Sequence, residues 1–99
     1  MIDKEKIRSS LICTYVWHNT NKTKKNIIKA IDKLLFDKKT KSYLIPKNDL
    51  TTLNLRIIEY IDLNGITTYS DLLDNLTDLI YTYYLAIIRE QNIITTLYR

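Results

Sequence analysis

The apolar residues of this chain recur at helical spacing over most of its length. The clearest stretch is residues 23–37, where an amphipathic stripe is formed by Ile27, Ile28, Ile31, Leu34 and Leu35. Either Asn21 or Thr23 can cap the start of this helix, because both side chains accept hydrogen bonds from backbone N–H groups. We predict a helix here, with its apolar face turned towards the core.

The second half of the chain shows two more helical stripes. The first begins at a cap formed by Asn48 or Asp49 and runs to about residue 63, where Asn64 and Gly65 end it. After a brief extended link at residues 66–67, Thr68 and Asp71 form a start similar to a capping box. The stripe that follows contains neither Gly nor Pro, so we predict one continuous helix over about 69–91.

The remaining segments are more ambiguous. Residues 3–18 follow helical spacing, but residues 11–17 (LICTYVW) also form a β-branched and aromatic run typical of a buried strand. We prefer the helix, and the strand stays open. Two short strands are predicted near residues 41–46 (KSYLIP) and 93–98 (IITTLY). The second of these could pair with the first or with residues 11–17.

These elements indicate a mainly α domain with a small β element (α+β), built from three or four helices. The 99 residues suffice for a single domain, and at 45% hydrophobic the chain is too apolar to be disordered. The charged first ten residues do not look like a secretory signal, and no apolar run reaches the ~20 residues of a membrane helix. We expect no membrane partner. The lone Cys13 excludes an internal disulfide and favours a reducing compartment.

Charge is distributed very unevenly. All eleven lysines lie at or before Lys47, and residues 1–48 carry twelve Lys and Arg against four Asp and Glu. Residues 49–99 carry three Arg against seven Asp and Glu. The net charge of +4 therefore conceals a basic half of +8 and an acidic half of −4. Such asymmetry indicates something about partners rather than about fold.

A stripe of lysines lies opposite the apolar face of the helix at residues 23–37. We predict that it contacts a DNA or RNA backbone through Lys22, Lys24, Lys25, Lys29 and Lys33. Lysine supplies point charges rather than the bidentate fork that reads base edges, so binding would be indifferent to sequence. The alternative is an ordinary solvated surface of a helix.

Catalytic chemistry has little support in the sequence. Cys13 and His18 are five residues apart, which places them on different faces of a helix or a strand. The carboxylates of Asp71, Asp74 and Asp78 share a helix flank, but no histidine accompanies them, which is typical of a solvated acidic face. We expect a protein that is not an enzyme and that has no cofactor and no metal.

The tyrosine-rich stretch at residues 80–88 (IYTYYLAII) is apolar on nearly every side, which is unusual for a surface helix. Its aromatic residues could fill the core of one chain. We favour burial across a homodimer interface, where tyrosine is enriched, formed by Ile80, Tyr83, Tyr84, Ile87 and Ile88. The alternative function is accordingly a protein–protein interaction or structural module that works through this acidic, tyrosine-rich half on a host or viral protein.

Two diffuse resemblances complete the picture. Residues 55–94 are similar to a winged helix-turn-helix, with ITTYSDLLDNL at the place of its second helix. The inter-helix turn would be two residues short and would lack glycine, so one helix over 69–91 stays our prediction. The segments KTKKNIIKAIDKLL, LRIIEYIDLNG and IYTYYLAIIREQ resemble small proteins of filamentous archaeal viruses, of the lipothrixvirus and rudivirus type. That resemblance implies a thermostable viral protein in the host cytoplasm.

Overall fold

The computed structural model describes residues 2–65 and 68–97, with side chains for 2–65 and 68–90. Within these ranges the elements are α1 (Lys4–Leu11), α2 (Thr20–Leu35), β1 (Phe36–Asp37), β2 (Ser42–Tyr43), α3 (Lys47–Asn64) and α4 (Tyr69–Leu97). The prediction of a mainly α fold with a small β element and a long C-terminal helix is confirmed. None of the described helices is long and apolar enough to cross a bilayer.

The four helices enclose one hydrophobic core. α4 packs against α1 and α3, and α2 also packs against both. The side chains at the centre come from every helix and are almost inaccessible to water: Ile7, Leu11, Ile27, Ile31, Leu35, Leu53, Ile57, Ile61, Leu76 and Ile80. Burial of such aliphatic side chains, at about 1.5–3 kcal/mol each, is the main stabilising contribution in a domain of this size.

The N-terminal helix is shorter than the preferred interpretation of residues 3–18. Asp3 caps α1 by accepting a hydrogen bond from the Lys6 N–H at 2.8 Å, and the helix ends at Leu11. Residues 12–19 are neither helix nor strand. The Thr14 hydroxyl, which is buried, donates to the Leu11 carbonyl at 2.6 Å. Local side-chain bonds of this kind compete with helix continuation, and they explain why the apolar run of residues 11–17 leaves the helix.

The second helix begins earlier than predicted, at Thr20, and Asn19 caps it in place of Asn21 or Thr23. The Asn19 carboxamide accepts from the Lys22 N–H at 3.0 Å. Thr23 is fully buried and has another role: its hydroxyl accepts from the Val16 N–H at 2.9 Å and donates to the Asn19 carbonyl at 3.0 Å. Thr23 thus fastens the preceding loop to the first turn of α2.

The small sheet is a local hairpin. β2 lies within the strand predicted at residues 41–46, but it pairs antiparallel with β1, which puts Phe36 opposite Tyr43. The predicted pairing of residues 41–46 with residues 93–98 is therefore wrong. The strand predicted near 93–98 is wrong, because α4 continues to Leu97, and residue 98 lies outside the described residues. Helical hydrogen bonding carried on from a long preceding helix outweighs the β propensity of that short run.

The boundaries of α3 and α4 follow the sequence signals closely. Pro46 rather than Asn48 or Asp49 precedes the first turn of α3, and Gly65 ends the helix. Gly65 has a φ of +69°, which favours glycine, and its N–H donates to the Ile61 carbonyl at 2.8 Å. Thr68 accepts from the Asp71 N–H at 3.3 Å. The prediction of one continuous helix over 69–91 is confirmed, while the link at 66–67 lies outside the described residues.

Candidate nucleic-acid interface

Four lysines of α2 form one exposed surface, which we call the lysine face: Lys22, Lys25, Lys29 and Lys33. At helical geometry they fall within an arc of about 80° and span about 16 Å along the axis. The opposite side of α2 carries the core residues Ile27, Ile31 and Leu35. The lysine face is therefore anchored by the core, and its cations project into water.

Lys24 does not belong to this surface, although the sequence placed it there. Its ammonium lies 2.6 Å from a carboxylate oxygen of Asp62 on α3, and its side chain is only 18% exposed. Helical geometry explains why Lys24 points away from the lysine face. It lies about 200° around α2 from Lys22, on the side of Ile31. Lys24 connects two helices, and this excludes it from the candidate interface.

The structure compensates part of the charge asymmetry internally. The ammonium of Lys4 lies 3.0 Å from a carboxylate oxygen of Asp78, and the guanidinium of Arg8 lies 3.1 Å from one of Asp74. These two carboxylates of α4 are therefore paired with α1. These ion pairs are half-exposed and contribute little stability. Among the described side chains, no ion pair involves the lysine face. The four cations of the lysine face therefore lie side by side on one helix without an ion-pair partner among the described side chains.

A shallow groove runs along the start of the lysine face. It has a volume of about 380 Å³, and it is lined by Asn19, Asn21, Lys22, Lys25, Asn26 and Lys29. Lysine ammonium groups and asparagine amides are both donors to phosphate and sugar oxygens. Asn26 is already engaged, since its amide donates to the Thr14 carbonyl at 3.1 Å. The groove thus presents donors and positive charge without the fork of an arginine.

An exposed aromatic residue lies in the loop before α2, two residues before Asn19, which lines the groove. This residue is Trp17, and its side chain is 73% exposed. It contacts Tyr15 and His18 in edge-to-face geometry, with ring centroids 6.3 Å and 4.5 Å away. His18 has a φ of +56°, in the left-handed region that few side chains adopt. Sequence reasoning missed Trp17 because it treated residues 11–17 as a buried run.

The hairpin stands at the other end of α2. Its turn carries the exposed residues Lys38, Lys39 and Lys41, which extend the positive surface. On its strands, Phe36 and Tyr43 pack edge-to-face with ring centroids 5.2 Å apart, and both are partly exposed. These residues were also missed. The signal was present, since the lysines of the basic half continue past the helix.

One acidic residue lies beside the lysine face. Asp32 is within about 20° of Lys25 around the helix, and both of its carboxylate oxygens accept from the Tyr43 hydroxyl at 3.1 Å. This hydrogen bond to the carboxylate is the main reason that the pKa of Tyr43 is raised above 10.0, with smaller effects from burial and from the charge of Asp32. The bond also fixes the aromatic pair of the hairpin against the end of α2.

Comparisons of the chain with protein-family models, with curated proteins and with solved structures found no match. The assignment of a function therefore depends on the geometry of the surfaces just described. In the described part of the chain, no group of three or more His, Cys, Asp or Glu side chains is placed to hold a metal ion. Cys13 is an exposed thiol.

The residues predicted for a dimer interface divide into two groups. Ile80, Tyr84 and Ile87 are buried in the core of the single chain, while Tyr83 and Ile88 are half-buried at its edge. α1 and α3 cover α4 from two sides, and this accounts for much of the all-round apolar pattern. Tyr60, Tyr69 and Tyr81 are also half-buried, and Tyr98 lies outside the described residues.

A second surface lies between α3 and α4, and we call it the α3–α4 groove. It has a volume of about 1000 Å³, and Tyr83 lines it together with Leu55, Leu63 and Leu79. Leu55 is 61% exposed and Leu63 is 77% exposed. The guanidinium of Arg56 lies 5.6 Å from the centre of the Tyr83 ring. Large apolar side chains this exposed, at the edge of a groove, are typical of interaction surfaces.

Proposed function

We propose that this chain is a non-enzymatic nucleic-acid-binding protein that holds the phosphate backbone on the lysine face. The observation that supports this most strongly is that Lys22, Lys25, Lys29 and Lys33 are exposed together on one side of α2 and that none of the described ion pairs involves them, whereas Lys4, Arg8 and Lys24 are paired with carboxylates. Neutralising phosphates releases counterions, and this release drives binding without regard to sequence. The likeness to small archaeal virus proteins supports a role for it as a viral or mobile-element protein in the host cytoplasm.

The chemistry of the face favours backbone contact over base reading. In the basic half of the chain the arginine is Arg8, and its guanidinium is paired with Asp74. Lysine lacks the planar fork that pairs with the O6 and N7 atoms of guanine. We therefore expect nucleic acids of equal length to bind with equal affinity, whatever their base sequence.

The test is a fluorescence-anisotropy titration of labelled random-sequence DNA and RNA in low salt. Two variants with the same change in net charge separate the lysine face from general electrostatics. One reverses Lys25→Glu and Lys29→Glu on the face. The other reverses Lys6→Glu and Lys47→Glu, which are exposed positions on α1 and α3. We expect the first variant to lose binding and the second to retain most of it.

Two results would overturn this function. Absence of binding by folded wild-type protein at tens of micromolar, which is around the weaker end of non-specific affinities, would remove it. Equal losses in the two reversal variants would show that net charge matters and the lysine face does not. Circular dichroism of each variant establishes that the helices are intact.

The second candidate function is a protein–protein interaction module, and the α3–α4 groove favours it. Its lining combines the apolar residues Leu55 and Leu63 and the ring of Tyr83 with the charged residues Glu59 and Asp78. Large apolar and aromatic side chains beside charged ones are typical of protein interfaces. A second copy of the chain would bury the exposed leucines in a homodimer, and a host or viral protein could use the same groove. Loss of self-association on substitution of Leu63 would support the homodimer.

A further inference from the structure

We propose that the preferred ligand of the lysine face is a single strand of nucleic acid, with one base stacked on the indole of Trp17. This inference rests on the proposed function, since the phosphates of the strand would lie on the lysines. To that function it adds that the ligand is single-stranded and that Trp17 contacts a base. Every base has a π-face, so such stacking does not require a particular sequence.

The loop that carries Trp17 is fixed, so the exposure of the indole is part of the fold. Val16 is fastened to Thr23 through its N–H, at 2.9 Å, and its carbonyl accepts from the Asn19 N–H at 3.1 Å. Upstream, the Thr14 carbonyl accepts from the Asn26 amide. Thr14 and Thr23, which take part in these hydrogen bonds, are both buried. Trp17 therefore lies at the tip of a loop that is fastened to α2 on both sides.

Trp17 precedes the start of the lysine face by a few residues in the chain. Asn19, two residues after Trp17, lines the groove and bonds to the backbone of Lys22. The aromatic pair of Phe36 and Tyr43 lies at the far end of the helix, held by Asp32. From Asn19 to Leu35 the helix axis spans about 24 Å, which matches about seven nucleotides at the ~3.4 Å spacing of a stacked strand. A helix that carries a row of cations, with exposed aromatic residues in the loop before it and in the hairpin after it, fits a strand whose bases are free to stack.

A duplex fits this arrangement less well. Its base faces are covered by neighbouring base pairs, so a base reaches an external ring only after it has been unstacked and unpaired. The lysine face alone would contact a duplex, through phosphates. Single strands should therefore bind more tightly than duplexes of equal charge, and the difference should depend on Trp17.

The experiment combines anisotropy with the intrinsic fluorescence of the protein. The chain contains one tryptophan, so its emission reports on this position alone. The probes are oligo-dT, oligo-rU, an abasic DNA strand of the same length, and a duplex. We expect oligo-dT and oligo-rU to quench the emission as they bind, and the abasic strand to bind more weakly without quenching. DNA and RNA are distinguished by comparing the first two probes.

Substitutions at Trp17 complete the test. Trp17→Ala should weaken binding of oligo-dT roughly 5- to 150-fold, the size of one base–aromatic stack, and should leave the abasic strand and the duplex unchanged. Trp17→Phe should restore most of the loss. Binding of all four probes without quenching, and unaffected by Trp17→Ala, would overturn this inference and leave the proposed function intact. Absence of binding to every probe would overturn both.

Discussion

Single residues decide whether a lysine of α2 faces a ligand or its own protein. The sequence pattern predicted Lys22, Lys25, Lys29 and Lys33 as one surface, and the structure places all four in water. The predicted interface also included Lys24, although that ammonium contacts Asp62 on α3. Periodicity places the other four lysines on one side of α2 and places Lys24 about 200° from Lys22, so the grouping did not follow from the helical pattern. Which carboxylate lies opposite Lys24 depends on helix packing, which the sequence does not specify.

The hydroxyl of Tyr69 provides a residue-scale prediction. It donates to the carbonyl of Leu11 at 3.0 Å and to that of Ile12, so it joins the start of α4 to the end of α1. Tyr69→Phe removes these bonds, and we expect the free energy of unfolding to fall by about 0.5–1.5 kcal/mol at neutral pH. Urea unfolding of the two proteins measures this difference.

The same pair of proteins has an expected pH dependence. Burial raises the pKa of Tyr69 above its usual 10.0, the nearby Cys13 thiolate adds to the rise, and Arg8 opposes it. A raised pKa means that the folded state holds the proton more tightly. The stabilisation is therefore complete below pH 10.0 and is lost as the pH rises through the higher folded-state pKa. A difference between wild type and Tyr69→Phe that stays constant above pH 10.0 would contradict this account.

Thr23 provides a second prediction at this scale. Thr23→Val keeps the shape of the side chain but leaves the Val16 N–H and the Asn19 carbonyl without the hydroxyl that they share. We expect a loss of about 1–3 kcal/mol, because an unsatisfied group would stay in a part-buried site. Thr23→Ser, which keeps the hydroxyl, serves as the control and should cost less. If thermal unfolding shows the same loss of stability for Thr23→Val and Thr23→Ser, packing matters more than these hydrogen bonds.

At the scale of elements, long periodic segments were predicted well and short ones poorly. The stripes of α2, α3 and α4 extend over many turns, and all three helices are present. The run of residues 11–17 and the strand near 93–98 failed, because a few β-branched residues do not reveal whether a neighbouring helix will continue. The pairing of β1 with β2 depends on a turn in which Lys41 has a φ of +54°. Few sequence signals identify a turn of that kind without a glycine.

The position of the N-terminal cap of α2 can be tested directly by substitution. Asn19 accepts from the Lys22 N–H, whereas Asn21 lies within the helix and is exposed. Asn19→Ala should therefore destabilise the protein by about 0.5–2 kcal/mol, the usual cost of a lost N-cap. Asn21→Ala, the matched control, should change stability by less than about 0.5 kcal/mol. If chemical denaturation shows a larger loss of unfolding free energy for Asn21→Ala than for Asn19→Ala, the cap is at Asn21.

At the scale of the whole molecule, the two halves of the chain form two separate surfaces. The core is shared, but the lysine face lies on α2 and the α3–α4 groove lies between the two later helices. The sequence predicted this division through its charge asymmetry. It did not predict the groove, because the groove depends on how α3 packs against α4, although Leu55 and Leu63 lie off the apolar stripe of α3 and are exposed.

The exposed leucines lead to a prediction about oligomeric state. If the α3–α4 groove binds a second copy, sedimentation equilibrium should give twice the chain mass of 11.8 kDa at micromolar concentration. Leu63→Asp should then give a monomer, because a carboxylate would be buried without a partner. Ile12→Asp is the control, since Ile12 is exposed outside the residues that line the groove. A monomeric wild type would remove the homodimer.

The most direct test of the lysine face is the salt dependence of duplex binding by two neighbouring variants. If four lysines neutralise four phosphates, log K should fall against log salt with a slope of about −3.6. Lys25→Gln should make that slope shallower by about 0.9, because it removes one phosphate contact. Lys24→Gln should leave the slope unchanged, because its ammonium is held by Asp62. Equal changes of slope in the two variants, or none in either, would contradict the assignment of nucleic-acid binding to this face.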